Sequence, residues 1–366
     1  MSVMRAGLAA VAIVVGALAA CGGALPHERR AAEKAEREQL TKLEQAGLVI
    51  GEFGLASNAV VDGDTIKVVG LDASLRLLGI DAEETFKHDK ERRAYEAGWE
   101  GYLKAMRGNS AHPVKMATPI GDEGKKYAQA FFSGVGTVRL ERDHPREIRD
   151  YYNRYLAYVF AEKDGEWVNY NVEIVRAGLS PYFTKYGYSR RFHGEFVAAE
   201  REARAARRGI WDPTKQHYPD YDERKAWWDA RAEFIAAFER EMVGKENWIE
   251  LTNSDAIDRL EKHVGKEVVV LGAIASIKGG DRGPTRIMLS RKRANDFPLI
   301  VWDRDVLAAT GADRHQGEYV RVRGFVSRYT NPQWKKYELQ IVIDLPSQVS
   351  TSSVESKGPE EEEDVN

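Results

Sequence analysis

Apolar and polar residues alternate along VVDGDTIKVV (60–69) and SLRLLGIDAEET (74–85), where Val60, Ile66 and Val68 share a parity, as do Leu75, Leu77 and Gly79. That period of two marks half-buried strands. A third strand-like run, RDYYNRYLAYVF, covers 149–160. Helical patterning follows in VNYNVEIVRAGLSPYF (168–183), closed by a glycine, and in the basic run FVAAEREARAARRGIW (196–211). Beyond Pro213, residues 222–242 put Trp227, Phe234, Ile235, Phe238 and Met242 on one face at helical spacing. This predicts a connecting helix packed on one or both of its neighbours, not a cofactor site. Five more strand-like runs lie at 267–277, 285–290, 297–302, 319–329 and 337–343, with a short helical piece, 303–311, between the third and fourth.

Chemistry concentrates in the first two runs, which carry Asp62, Asp64, Arg76, Asp81 and Glu84. Carboxylates and an arginine gathered at strand ends are costly to hold together unless a cation or a phosphate neutralises them. Such a set suits phosphoryl transfer: hard oxygens for a metal, a guanidinium for a phosphate, a carboxylate for a water. A plainer reading exists, because Asp-Gly is the commonest hairpin signal and a charge at a strand end is often only solvated.

From about residue 48 to 213 the order of elements resembles the staphylococcal nuclease (thermonuclease) family. DGDT, RLLGID with Glu84 three positions beyond, DxxxR ending at Arg154, RAGL and GIW occur in the family's order. The resemblance implies an OB-fold-like barrel with helices, and a calcium-dependent nuclease acting on DNA and RNA. It implies that Asp64 and Asp81 bind Ca2+ through side-chain oxygens and Ala82 through its carbonyl, with Asp62 contacting a metal-bound water. Glu84 would position or deprotonate the attacking water, Arg76 would bridge the scissile phosphate and the metal side, and Arg154 would stabilise the phosphorane and the departing oxygen. Two fork-shaped guanidiniums and a dication match the charge that builds in such an attack. Cleavage in the family leaves a 3′-phosphate and a 5′-hydroxyl. Tyr152 and Tyr186 are the preferred nucleotide contacts among Tyr151, Tyr152, Tyr182, Tyr186 and Tyr188. Interleaved with Lys185, Arg190 and Arg191, they suit single-stranded or frayed nucleic acid.

Two departures stand out. The family's small residue, Pro and Glu after the second aspartate are here Ala82-Glu83-Glu84. Losing the proline frees a φ angle and sets a charge beside the presumed base, so activity is expected to survive with altered metal or pH dependence. A long insertion, 86–117, follows Thr85. It reads either as a lid or substrate wall, with Trp99 and Tyr102 as stacking residues, or as a surface excursion carrying a short helix.

The chain has 366 residues, 43% hydrophobic and 30% charged, with a formal net charge of -3. That is enough for two modest cores, and excludes a uniformly basic DNA-coating protein. The single cysteine, Cys21, follows a short positive start and an apolar run, 6–17. Leu18-Ala19-Ala20-Cys21 resembles a bacterial lipobox, which implies cleavage before Cys21 and acylation there. Gly22 then reads as an outer-membrane signal in a diderm host. The expected organisation is a signal peptide (1–20), a lipidated cysteine with a helical tether (21–47), a nuclease-like domain (48–213), a connecting helix (214–247), a second domain (248–349) and an acidic tail (350–366).

In the second domain, three strands, a helix and two strands, with glycines at bends in the first and fourth, follow the OB-fold order. The ending RVRGFVSRYTNPQWKKYELQIVIDLPSQV also resembles nucleic-acid-binding OB-fold domains. Arg282, Arg286, Arg291, Lys292, Arg293, Trp302, Arg328, Tyr329, Trp334 and Lys335 are candidates for its binding face. OB-folds also serve as structural or protein-binding modules. Three functions therefore stand: an exported, lipid-anchored nuclease; a nuclease-like module that has lost catalysis and binds nucleic acid or protein; and an envelope scaffold. Retention of Asp64, Arg76, Asp81, Glu84 and Arg154 together favours the enzyme.

Overall fold

The computed structural model describes residues 47–110, 113–279, 283–290, 296–330 and 337–352. Cys21, all but the last residue of the tether and the acidic tail from residue 353 onward lie outside the described residues, as do Arg282, Arg291, Lys292, Arg293, Trp334 and Lys335. The architecture is mixed, with helices set around two β-sheets.

The first sheet holds β1 (Val49–Val60), β2 (Ile66–Val68), β3 (Leu75–Leu77), β4 (Thr137–Glu141), β5 (Tyr155–Lys163) and β6 (Glu166–Asn169). Its order is β2-β1-β4-β5-β3, with β6 on β5. Only β3 runs parallel to its neighbour β5, and the sheet curls into an OB-fold-like barrel. Leu75 and Leu77 face its core while Arg76 between them faces out, as period two requires. Full burial of an aliphatic side chain contributes about 1.5–3 kcal/mol. Leu77 and Ile80, both fully buried, thereby hold the charged strand end in place.

Helices α1 (Asp89–Glu96), α2 (Trp99–Arg107), α3 (Pro119–Phe131), α4 (Tyr170–Arg176) and α5 (His193–Ala205) pack around this barrel. RAGL and GIW prove to be two halves of one joint. Gly178, at φ 71°, ends α4, and Gly209, at φ 55°, lies against it. Ile210 N–H donates to the Gly178 carbonyl at 2.8 Å. A Cβ on Gly209 would fall 1.9 Å from that same oxygen, so only glycine fits there.

The second sheet joins β8 (Glu267–Lys278), β9 (Thr285–Leu289), β10 (Phe297–Val301), β11 (Tyr319–Thr330) and β12 (Tyr337–Val342) in the circular order β8-β9-β10-β12-β11-β8. Its β10–β12 pair is parallel and the other pairs of the circle are antiparallel. Two short strands flank the circle: β7 (Trp248–Glu250) on β8 and β13 (Val349–Thr351) on β11.

Between the barrels runs α6 (Tyr221–Met242), 22 residues long. Its buried face includes Ile235 and Phe238 as expected, with Trp227, Phe234 and Met242 half-buried, but it is wider than expected: Trp228, Arg224 and Arg231 are buried as well. The reason is that α6 is covered on two sides, so polar groups with partners can go inside. Arg231 and Glu318 pair at 3.3 Å with 2% and 1% of their side chains exposed, and Trp227 Nε1–H donates to Glu318 at 2.8 Å. Arg190 meets Glu147 of the first lobe at 2.9 Å, Glu239 of α6 at 2.6 Å and Glu250 of the second lobe at 3.4 Å. Burial pushes the Glu250 carboxyl up to about 7 against the pull of Arg190.

Candidate active site

The turn between β1 and β2 and the loop after β3 bring the carboxylates together. Asp64 Oδ2 accepts the Ala82 N–H at 2.9 Å, which ties the two segments at the backbone. Asp64 N–H in turn donates to Asp62 at 3.3 Å, and Thr65 Oγ1 donates to Asp64 at 3.2 Å. Asp81 N–H donates to Ser180 Oγ at 2.9 Å, so the segment after RAGL fixes its backbone.

Arg76 reaches both acids, at 3.4 Å from Asp81 Oδ1 and 3.9 Å from Asp64 Oδ2, with its guanidinium over the Phe183 ring. A second cation shares Asp81: Lys115 Nζ lies 3.0 Å from the same Oδ1. Burial alone would push the Asp81 carboxyl up, but Lys115 and Arg76 hold it below the usual carboxylate range. Asp62 behaves oppositely. Burial first, then the Asp64 and Glu84 charges, push its carboxyl up to about 7. The Asp62–Asp64 end of the site is therefore short of positive charge, whereas the Asp81 end has it in hand.

Glu83 and Glu84 point to different surroundings, as neighbours in an extended segment do. Glu83 is buried and takes hydrogen bonds from Tyr218 N–H at 2.7 Å, from the Tyr221 hydroxyl at 2.8 Å and from Thr118 Oγ1. This clamp replaces the stiffness that a proline would supply, so the loop does not gain the freedom that its loss allowed for. Glu84 is held by its backbone: Thr118 N–H donates to its carbonyl at 3.0 Å, and a Cβ on Gly121 would come 1.9 Å from that oxygen. Its carboxylate, 18% exposed, pairs with Lys87 at 3.0 Å.

The insertion is a surface excursion carrying two short helices, α1 and α2, pinned to the domain by its aromatic rings. Phe86, Tyr95, Trp99 and Tyr102 pack ring to ring, and Tyr102 is 2% exposed with its hydroxyl donating to Ala117 O at 2.9 Å. Tyr102 is thus a core residue and not a stacking platform. Sequence patterning missed Lys115 because nothing local to it signals Asp81.

Arg154 heads β5 and is gripped by Asp150, at 2.7 Å from both Nε and Nη2, over the Tyr152 ring. A cavity of about 490 Å³ opens beside it, lined by Arg76, Arg154, Tyr152, Lys185, Tyr186 and Trp227, and on the far wall by residues of the second lobe such as Ile274 and Tyr319. Arg76 therefore links the acid cluster to the cavity. Burial lowers the Lys185 ammonium to about 8. Burial works to raise the Tyr186 hydroxyl, but Lys185, Arg76, Arg231 and Lys115 outweigh it and hold it below its ordinary value. With 57% of Tyr186 exposed, solvent screens much of that effect. Tyr182, by contrast, is buried in stacking on Phe196. Arg190 and Arg191 are engaged in ion pairs with carboxylates of the protein itself.

No group of three or more His, Cys, Asp or Glu side chains arranged for a metal occurs among the described residues. The donors that are present, Asp64, Asp81 and the Ala82 carbonyl, are hard oxygens of the kind calcium takes. The raised Asp62 marks a local excess of negative charge that such a cation would relieve. The donor set fits the ion by its chemistry.

The family described as staphylococcal nuclease homologue matches residues 74–213. An uncharacterized protein of Methanocaldococcus jannaschii is 32% identical over 161 residues, which cover 42% of this chain and 69% of that relative. A thermonuclease of Staphylococcus hyicus is 27% identical over 157 residues, covering 42% of this chain and 72% of the relative. A thermonuclease of Staphylococcus intermedius is 26% identical over 155 residues, covering 42% and 73%.

Proposed function

Because this chain belongs to the staphylococcal nuclease homologue family, we propose that it is a calcium-dependent nuclease hydrolysing phosphodiester bonds of DNA and RNA. One observation carries the reading: Arg76 pairs with Asp64 and Asp81 and also lines, with Arg154, Tyr152 and Tyr186, a single cavity of about 490 Å³. A pocket with guanidiniums and aromatic rings at one wall suits a phosphate and the bases on either side of it.

Asp64, Asp81 and the Ala82 carbonyl would hold calcium, with Asp62 one water away. When bound, the ion supplies charge neutralisation at the phosphate. Arg76 and Arg154 bind the phosphate oxygens, where charge grows as the attacking oxygen approaches in line with the leaving one. Asp150 holds the Arg154 guanidinium through Nε and Nη2. Glu84 takes the proton of the attacking water, and its fixed backbone keeps it in register. A 3′-phosphate and a 5′-hydroxyl are the expected products. We assign the second barrel as an OB-fold that grips the strand beyond the cavity, and Cys21 as a lipid anchor that places the enzyme in the cell envelope.

The test is cleavage of labelled single- and double-stranded DNA with calcium or chelator, beside Glu84→Gln. Calcium-dependent cleavage that falls by several orders of magnitude in the variant supports the enzyme and its base together. Binding without cleavage by the wild-type protein instead supports a nucleic-acid-binding module, and near-normal turnover in Glu84→Gln removes Glu84 from its role.

A further inference from the structure

The site described above contains a cation that its motifs do not supply. Lys115 comes from the end of the insertion, and its Nζ is closer to Asp81 Oδ1, at 3.0 Å, than is Arg76 Nη2, at 3.4 Å. The backbone on both sides of it is pinned. Arg224 Nη2 donates to Val114 O at 2.7 Å, and Tyr218 holds Met116 by both its N–H, at 3.0 Å, and its carbonyl, at 2.9 Å. The Tyr102 hydroxyl donates to Ala117 O at 2.9 Å. Ordering a long side chain is the main cost of an exposed ion pair, and a fixed backbone reduces that cost. The aromatic packing of the insertion thus delivers one ammonium to one carboxylate.

Resting on the reading of Asp64, Asp81 and Ala82 as the calcium-binding set, we infer that Lys115 is a tethered cation that competes with the metal for Asp81. The ammonium balances the acid cluster while no metal is bound, and a divalent ion must displace it to use the same oxygen. An ammonium and a dication on one carboxylate repel each other twice as strongly as two unit charges at the same separation. Calcium affinity is therefore set against Lys115, which is absent from the family's motifs.

Calcium binding to the full-length protein, followed by titration calorimetry, tests this without recourse to activity. Competition between linked sites is typically worth about 5–150-fold. Lys115→Met is expected to bind calcium about tenfold tighter than wild type or better, Lys115→Arg about as wild type does, and Lys115→Met/Asp81→Asn to lose the gain. Should Lys115→Met fail to fold, Lys115→Gln carries the same comparison. Measurable and equal affinities in wild type and Lys115→Met overturn the competition and leave the calcium reading standing. A gain that survives Asp81→Asn also overturns it. Absence of calcium binding in every variant at millimolar calcium overturns both.

Discussion

Truncating Glu83 to alanine is the sharpest test of how the catalytic loop is held. The carboxylate accepts from Tyr218 N–H at 2.7 Å, from the Tyr221 hydroxyl at 2.8 Å and from Thr118 Oγ1, and Tyr218 and Tyr221 are 3% and 6% exposed. A buried donor left unpaired costs about 1–3 kcal/mol. Thr118 Oγ1 still accepts from Gly121 N–H at 3.1 Å, so the backbone N–H of Tyr218 is the firmest loss. Burial raises the Glu83 carboxyl, and relief of that desolvation on truncation offsets part of the cost. The net expectation, the Tyr218 N–H and the Tyr221 hydroxyl left unpaired less that relief, is a loss of about 3 kcal/mol. For a lobe of this size that lowers Tm by about 6–12 °C. Thermal and urea unfolding, followed by tryptophan fluorescence and far-UV circular dichroism, measure it. Glu83→Gln keeps an acceptor oxygen and should lose less than half as much. Glu83→Pro restores the residue usual in the family yet removes the same acceptor, so it should destabilise about as much as alanine does. Glu83→Ala within about 1 kcal/mol of wild type, or a stabilising Glu83→Pro, would refute the clamp.

Arg154→Ala should lower kcat by about 10²–10³ with a smaller change in KM, because its charge is needed where charge develops; steady-state kinetics with equal effects on both constants would contradict that role. Glu250 is raised from 4.5 to about 7, so between those values the native state holds its proton more tightly than the unfolded state does. Stability should therefore fall as pH rises through that window, by at most about 3 kcal/mol, and level off above about pH 7. Unfolding of Glu250→Gln across the same pH range should lack this contribution, and an unchanged slope would remove Glu250 as its source. Gly209→Ala places a Cβ 1.9 Å from the Gly178 carbonyl at a φ of 55°, and should cost more than about 2 kcal/mol in denaturant unfolding; wild-type stability would show that the joint yields freely.

What could be read from the sequence divides by how far apart the interacting residues lie along the chain. Asp62, Asp64, Arg76 and Asp81 lie on two strand–turn segments that follow one another in sequence and were legible as motifs. Yet β2 and β3 stand at opposite ends of the strand order, and only the closed fold ties them, through the Ala82 N–H on Asp64. The glycines of RAGL and GIW were legible as motifs, but their joint purpose, one backbone against another, is visible only in three dimensions. On α6, the spacing rule found Ile235 and Phe238 but not the buried Trp228, Arg224 and Arg231, because a helix covered on two sides also buries polar groups with partners, such as Arg231 against Glu318. Glu83 looked like an intrusion beside the base, since its partner Tyr218 is 135 residues further on. Lys115 was hidden for the same reason, reaching Asp81 only through the folded insertion and its anchors on Tyr218 and Arg224. The segment 214–224, read from the sequence as no more than the first part of the connecting helix, thus supports both departures from the family pattern. It clamps the loop that carries Glu84 and aims the extra cation at Asp81, so changes to the nuclease lobe and to the start of α6 should not be independent of each other.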